Sequence, residues 1–257
     1  MDLGLDGRVA VVTGASRGIG LAIVRALAAE GVTVFAGART SSPELDELAT
    51  VHVVAVDLAE PGGPALLVAA AGPRLDILVN NVGNAPARTG GFLSVTDDDW
   101  IHTLGLNLLP AVRATRAALP GMLAAGRGAI VTVASINATL PDPAVIDYSA
   151  AKSALLSFCT ALAKEVAGQG VRVNTVSPGP VETALWLGGG GVAETVSQAT
   201  GLTPEQVASQ AAHQSPTGRF SRPEEVADLV VLLASERTAN VTGADFVIDG
   251  GLRPTLG

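Results

Sequence analysis

Tyr148 is the sole tyrosine of the chain, and Lys152 follows it by four residues. Residues four apart on a helix stand one turn above each other on the same face. A phenol, with a solution pKa of about 10, is a poor proton donor or acceptor at neutral pH. A fixed ammonium beside it favours the phenolate and brings that pKa toward the working range. Ser135 comes thirteen residues earlier, at the end of the apolar run 129–134. A hydroxyl at a strand tip, next to a lysine-activated tyrosine, is a device for protonating a carbonyl oxygen. The same pair also fits a packed tyrosine at a helix start with a solvated lysine, so the elements around it must decide.

Short apolar runs alternate with helical patterns along the whole chain. They predict strands at 9–13, 33–37, 51–56, 77–80, 129–134, 172–176 and 245–248. Helices are expected at 18–30, 43–49, 62–71, 97–125, 149–168 and 223–235. Short strands rich in β-branched residues, joined by helical crossovers, imply a parallel sheet covered on both faces. Right-handed crossovers then give an α/β fold with a Rossmann-like, doubly wound, seven-stranded sheet. No linker, repeat or charge block divides residues 1–257, which read as a single domain. Two places break the rhythm. Pro110 falls inside the helical pattern, three residues after Asn107, and should kink or unwind it. Residues 184–217 form a long insertion with the run Gly188-Gly-Gly-Gly191 and a short helix near 204–214. The glycine run suggests a mobile flap over the site, or a plain surface loop.

The first strand runs into Thr13-Gly-Ala-Ser-Arg-Gly-Ile-Gly20, and a helical pattern follows at once. Glycines let the backbone turn tightly and approach a ligand closely. The N–H groups of the helix start then face a pyrophosphate. The same stretch also fits Gly-x-Ser-x-Gly, with Ser16 as a hydrolase nucleophile. That alternative needs a later histidine, and only His213 in the insertion comes late in the chain. The second strand ends in Ala38 and Arg39, where an NAD site would offer a carboxylate to the ribose 2′-hydroxyl. A guanidinium suits a 2′-phosphate instead, and Arg17 adds a second cation, so NADP(H) is preferred over NAD(H).

Composition excludes several other classes. The net charge is -8, and the sixteen basic residues are scattered, so no nucleic-acid partner is expected. One cysteine, Cys159, rules out an intrachain disulfide or a cysteine-rich metal site, and its apolar surroundings predict a buried, inert thiol. Asp97-Asp-Asp99 after Thr96 suits the positive end of a helix better than a metal ion. No secretory signal and no membrane-spanning run is visible, which points to a cytoplasmic protein.

Taken together, the motifs resemble the short-chain dehydrogenase/reductase family from about Gly7 to Leu252. They are Thr13-Gly-x-x-x-Gly-x-Gly20, Asp57, Asn80-Asn-Val-Gly83, Asn107, Ser135, Tyr148-Ser-Ala-Ala-Lys152, Pro178-Gly179 with Thr183, and Asp249-Gly-Gly251. The resemblance implies a ketone–alcohol oxidoreductase in which Tyr148 is general acid or base and Ser135 binds the substrate oxygen. It implies that Lys152 lowers the tyrosine pKa and holds the nicotinamide ribose, while Asn107 positions a relay water. Gly14, Ser16, Arg17, Gly18, Ile19 and Gly20 would line the pyrophosphate. Asp57, with Leu58 beside it, would meet the adenine, and Arg39 the 2′-phosphate. Asn81 and Gly83 would lie along the cofactor, and Pro178, Gly179, Val181 and Thr183 at the nicotinamide. Val82 departs from the family's usual alanine, and a small adjustment of the groove is expected. A homotetramer is implied, built on the helices after 105 and 148 and on the C-terminal segment. Carrier-protein reductases of the family tend to be basic where this chain has Ala129 and Gln169, which disfavours that partner, although Arg127 and Arg172 lie nearby. A cofactor-binding regulator on the same fold is the remaining alternative, and it would need none of the Asn107, Ser135, Tyr148 and Lys152 set.

Overall fold

The computed structural model describes residues 2–253. Strands β1 (Val9–Thr13), β2 (Thr33–Ala38), β3 (Val51–Ala55), β4 (Ile77–Asn80), β5 (Gly128–Val133), β6 (Val171–Pro178) and β7 (Asp245–Ile248) form one sheet. The order is β3-β2-β1-β4-β5-β6-β7, and each neighbouring pair is parallel. Parallel neighbours require crossovers, and helices provide them. These are α1 (Gly18–Ala29), α2 (Pro43–Asp46), α3 (Gly63–Ala70), α4 (Asp97–Asn107), α5 (Leu109–Ala125) and α6 (Ile146–Val166). After β6 come α7 (Ala184–Leu187), α8 (Val192–Thr200), α9 (Pro204–Gln214) and α10 (Pro223–Ala234). The expected seven-stranded, doubly wound α/β sheet is present, with strand limits within two residues of those read from the sequence.

Side-chain alternation along the strands builds two cores. Ala10, Val12, Ile77, Val79, Val131 and Val133 face α1 and α10, while Val11, Leu78 and Ile130 face α5 and α6. Leu78 is fully buried in the second layer. Leu78→Ala should therefore destabilise the fold by about 3 kcal/mol, the sum of lost transfer energy and a residual cavity. Urea unfolding monitored by circular dichroism checks this.

The chain winds outward in opposite directions from β1 and β4, so the crevice beyond their carboxyl ends is where an open α/β sheet receives ligands. Pro110 has the predicted effect. The helical pattern 97–125 splits at Leu108 into α4 and α5, with Pro110 in the first turn of α5. A proline has no N–H to give, and in a first turn that N–H would have no helical partner anyway. Thr96 caps α4 in a capping box with Asp99, which accounts for the acidic run.

The 184–217 segment holds the expected short helix at Pro204–Gln214, α9, and two more that were not expected, α7 and α8. Its glycine run is a turn between α7 and α8. A Cβ at Gly191 would come within 2.8 Å of the Gly188 carbonyl and 2.9 Å of that of Leu185, so close packing is what demands glycine there. Helix α8 escaped the sequence reading because it is short and rich in Thr, Ser and Val, weak helix formers. Val181 and Ser221 pair in an isolated parallel bridge that closes the segment at its base.

Candidate active site

A cleft of about 960 Å³ opens at the carboxyl end of the sheet. Every residue expected at the site lines it except Asn107, which lies just behind Gly83. Gly14, Ser16, Arg17, Gly18, Ile19, Gly20, Arg39, Asp57, Leu58, Asn81 and Gly83 line one part. Ser135, Tyr148, Lys152, Pro178, Gly179, Val181 and Thr183 line the other.

The phosphate end is built from β1 and α1. Gly14 turns the chain with φ +67°. A Cβ on Gly20 would fall 2.1 Å from the Gly14 carbonyl oxygen, so only glycine lets α1 start this close to the turn. Asn81 serves the turn from below: its side-chain amide donates to Thr13 O at 3.1 Å and Gly14 O at 3.0 Å. Helix α1 begins with no side-chain cap, leaving its first N–H groups to the cleft. An uncapped helix start beside a glycine turn fits a pyrophosphate. At the tip of β2, Ala38 is buried and Arg39 exposed. Among the described residues neither Arg17 nor Arg39 takes part in an ion pair. The residues present therefore fit a dinucleotide with a 2′-phosphate. Val82 packs its side chain toward the α5–α6 core while lining the cleft, which is how the groove absorbs it.

The chemical end is built from β5 and α6. Ser135 follows β5 in extended backbone, and its Oγ accepts from Asn137 N at 3.2 Å. The Ser135 hydroxyl and the Tyr148 phenol line the same cleft. Tyr148 sits in the first turn of α6, and Lys152 stands one turn on, with Nζ 5.7 Å from the phenol ring centroid. Lys152 is 3% exposed, and its Nζ donates to Val133 O at 3.0 Å.

The electrostatics depart from the sequence expectation. Burial raises the Tyr148 pKa above its ordinary value, and the Ser135 hydrogen bond offsets this only in part. Burial also lowers Lys152 to about 8. The lysine is thus itself a weakened cation, its Nζ bonded to the Val133 carbonyl and lying over the ring. At neutral pH the phenol holds its proton.

Asn107 is buried at the end of α4, and its side chain is already committed. Oδ1 accepts from Asn84 N at 3.0 Å, and Nδ2 donates to Asn84 O and Thr103 O, each at 3.0 Å. It fixes the strand-four loop beside Lys152, since a Cβ on Gly83 would lie 2.8 Å from Asn107 Oδ1 and 3.4 Å from Lys152 Nζ. Any water relay would have to use its main chain, at the break before α5.

The remaining lining is largely apolar: Leu140, Val145, Leu185, Trp186, Val196 and Val207 wall the side away from the glycine turn. Trp186 also packs edge-on against Phe220 at 5.2 Å, so it both seats the flap and faces the cleft. The serine-hydrolase alternative finds no support: His213 Nδ1 lies 2.7 Å from Ser209 O in its own helix and is not among the lining residues. Cys159 is buried and its thiol is pushed up to about 11 by that burial, as expected of an inert side chain. Sequence reasoning missed Arg88, Thr103 and Asp147, which form a buried polar cluster behind Tyr148. The available signal was an acid directly before the only tyrosine.

Among the described residues no helix is long and apolar enough to cross a membrane, and no three His, Cys, Asp or Glu side chains gather as metal ligands.

Comparison with known proteins agrees with this geometry. The family model described as enoyl-(acyl carrier protein) reductase matches residues 14–253. The D-threitol dehydrogenase of Mycolicibacterium smegmatis is 38% identical, over 97% of this chain and 94% of that one. The 3-oxoacyl-[acyl-carrier-protein] reductase FabG of Vibrio harveyi is 34% identical, over 97% and 99%. L-sorbose reductase of Gluconobacter frateurii, solved in complex with NADPH and L-sorbose, superposes with a TM-score of 0.89 at 36% identity, covering all of both chains. A glycine turn at an uncapped helix, a serine at a strand tip and a tyrosine–lysine pair in one cleft, carried on a chain so matched, make this protein a member of the short-chain dehydrogenase/reductase family, an NAD(P)-dependent oxidoreductase.

Proposed function

We propose that the protein interconverts a ketone and a secondary alcohol with NADP(H), and that Tyr148 is its general acid and base. The observation that carries this is the convergence of Ser135, Tyr148 and Lys152 in the cleft that also holds the glycine turn. The nicotinamide, when bound, supplies or accepts the hydride. The chain's residues do the rest. Ser135 and Tyr148 hold the substrate oxygen between two hydroxyls, and the protonated phenol gives its hydrogen to that oxygen as reduction proceeds. Lys152 holds the ribose hydroxyls. Asn107 keeps the loop at 83–84 in place and leaves a main-chain route for protons to reach Lys152. Asp57 and Leu58 lie toward the adenine, and Val181 and Thr183 toward the carboxamide.

Arg17 and Arg39, with no acid at Ala38, support a preference for NADPH. The L-sorbose reductase relative was solved with NADPH. Titration with NADPH and NADH, followed by nicotinamide fluorescence, should give tighter NADPH binding. Arg39→Ala should narrow that preference by roughly tenfold or more, the value of a charge-assisted hydrogen bond pair. An unchanged ratio would remove Arg39 from the specificity determinants. The apolar wall of the cleft supports a substrate with a hydrophobic body next to its carbonyl. Exposed Leu109, at the start of α5, supports the homotetramer through the first of the two helices expected at its interface. Of the C-terminal segment, residues 254–257 lie outside the described residues.

A further inference from the structure

Arg88 lies in the loop between β4 and α4 and has no part in the chemistry derived above. Its guanidinium is 15% exposed and forks between two acids. Nε and Nη2 donate to the Asp147 carboxylate, and Nη1 donates to Asp99 Oδ1 at 2.9 Å. Its backbone N donates to Ala144 O. Asp147 directly precedes Tyr148 and is fully buried. It accepts from Thr103 Oγ1 at 2.6 Å and from the Tyr148 backbone N–H. Thr103 in turn accepts, through its carbonyl, from Asn107.

We propose that Arg88 is a positioning residue for Tyr148, holding the first turn of α6 against the two loops, 84–88 and 141–145, that wall the substrate side. The proposal rests on Tyr148 being the acid. A buried ion pair is a poor choice for stability alone, because an apolar pair of similar volume serves as well. What a forked guanidinium adds is direction: it fixes the planes of two carboxylates and the loop that carries it. Here the fixed object is the residue adjoining the phenol. Burial pushes the Asp147 carboxyl up, but the Arg88 and Thr103 hydrogen bonds overcome this and leave it below the usual range, so the pair stays ionised.

The charge pattern also supplies a readout that a merely structural clamp would not move. The charged and titratable groups around Tyr148 are Arg88 and Asp142 on the two loops, Asp99 and His102 on α4, and Asp147 and Lys152 on α6 itself. Losing Arg88 leaves Asp147 uncompensated at the residue before Tyr148, which should disfavour phenolate. Losing Asp147 leaves Arg88 in excess and favours it.

The test compares Arg88→Met, Asp147→Asn and the double variant, using an alcohol turned over by the wild-type enzyme with NADP+. The double variant removes both charges and should fold and bind NADPH normally, yet lose roughly 10- to 100-fold in kcat with KM changed less. The rising limb of the kcat pH profile should move to higher pH in Arg88→Met and to lower pH in Asp147→Asn. If Arg88→Met fails to fold, the double variant and Asp147→Asn still decide. A double variant with wild-type kcat, or a pH limb that stays in place in the single variants, would overturn the role of Arg88. A Tyr148→Phe enzyme that keeps its turnover would overturn the acid assignment as well, and so separates the two failures.

Discussion

Tyr148→Phe is expected to lower turnover on the order of 10² to 10⁴-fold, the contribution of a positioned general acid, with NADPH affinity nearly unchanged. The change removes one oxygen and leaves the ring, which is half-buried on the cleft wall with Lys152 over its face. Packing is therefore preserved, and the loss is chemical. Without the phenol, Ser135 alone faces the developing alkoxide, and a neutral serine hydroxyl cannot transfer its proton as readily. Single-turnover kinetics with NADPH in excess would isolate the step. Near-normal turnover would eliminate Tyr148 as the acid. Because burial raises the phenol pKa, reduction should hold up across neutral pH, while alcohol oxidation should accelerate as pH rises toward that pKa.

Lys152→Met is expected to separate activity from stability. Activity and NADPH affinity should both fall if, as proposed, the ammonium holds the ribose. Stability at neutral pH should rise. Burial lowers the folded-state Lys152 pKa from 10.5 to about 8, so below 8 the folded protein keeps a charge it is poorly solvated to carry. The unfolded chain binds that proton more tightly. Between pH 8 and 10.5 the unfolded state is the more protonated, and wild-type stability gains with rising pH, by about 3 kcal/mol across the window. The methionine variant lacks this term. Its lead in Tm should be largest at pH 7 and should shrink as pH climbs toward 10.5. A constant gap would mean that Lys152 keeps its proton on the same footing in both states. Strain of this kind, tolerated at a site because function needs it, is the usual basis of a stability–activity trade-off.

The sheet and the motif positions were legible because each is local. Strand runs announce themselves by β-branched residues between turns, and the glycine turn by its place between the first strand and first helix. The proline break before α5 followed from the chemistry of one residue. Three things were not legible. Helix α8 is nine residues long, and five of them (Val192, Thr195, Val196, Ser197 and Thr200) are weak helix formers, so no helical pattern stands out. The Arg88–Asp147 pair joins residues 59 positions apart, and no periodicity links them. The Tyr148 pKa depends on how deeply α6 is buried and where the lysine nitrogen points. A four-residue spacing says that two side chains share a face, but it does not say which of them burial will disarm. Asn81 and Asn107 show a related limit. Asn81 lines the cleft as expected, but spacing did not announce that its Nδ2 also holds the glycine turn, or that the Asn107 amide holds the strand-four loop.

The Val181–Ser221 bridge has an evolutionary consequence. It brings together the ends of residues 182–220, so everything between them is an excursion with a closed neck. Changing the length of such an excursion is cheap: doubling a loop costs only about 0.6 kcal/mol in closure entropy. Ser135, Tyr148 and Lys152 all lie outside it, whereas Leu185, Trp186, Val196 and Val207 lie within. Beyond Thr183, which stays with the nicotinamide end, the excursion can be rewritten, lengthened or exchanged between lineages while the hydride machinery stays under separate selection. Relatives named for L-sorbose and for 3-oxoacyl carrier-protein substrates share about a third of their residues with this chain. A scaffold with one detachable recognition segment is a way for such divergence to proceed without passing through inactive intermediates.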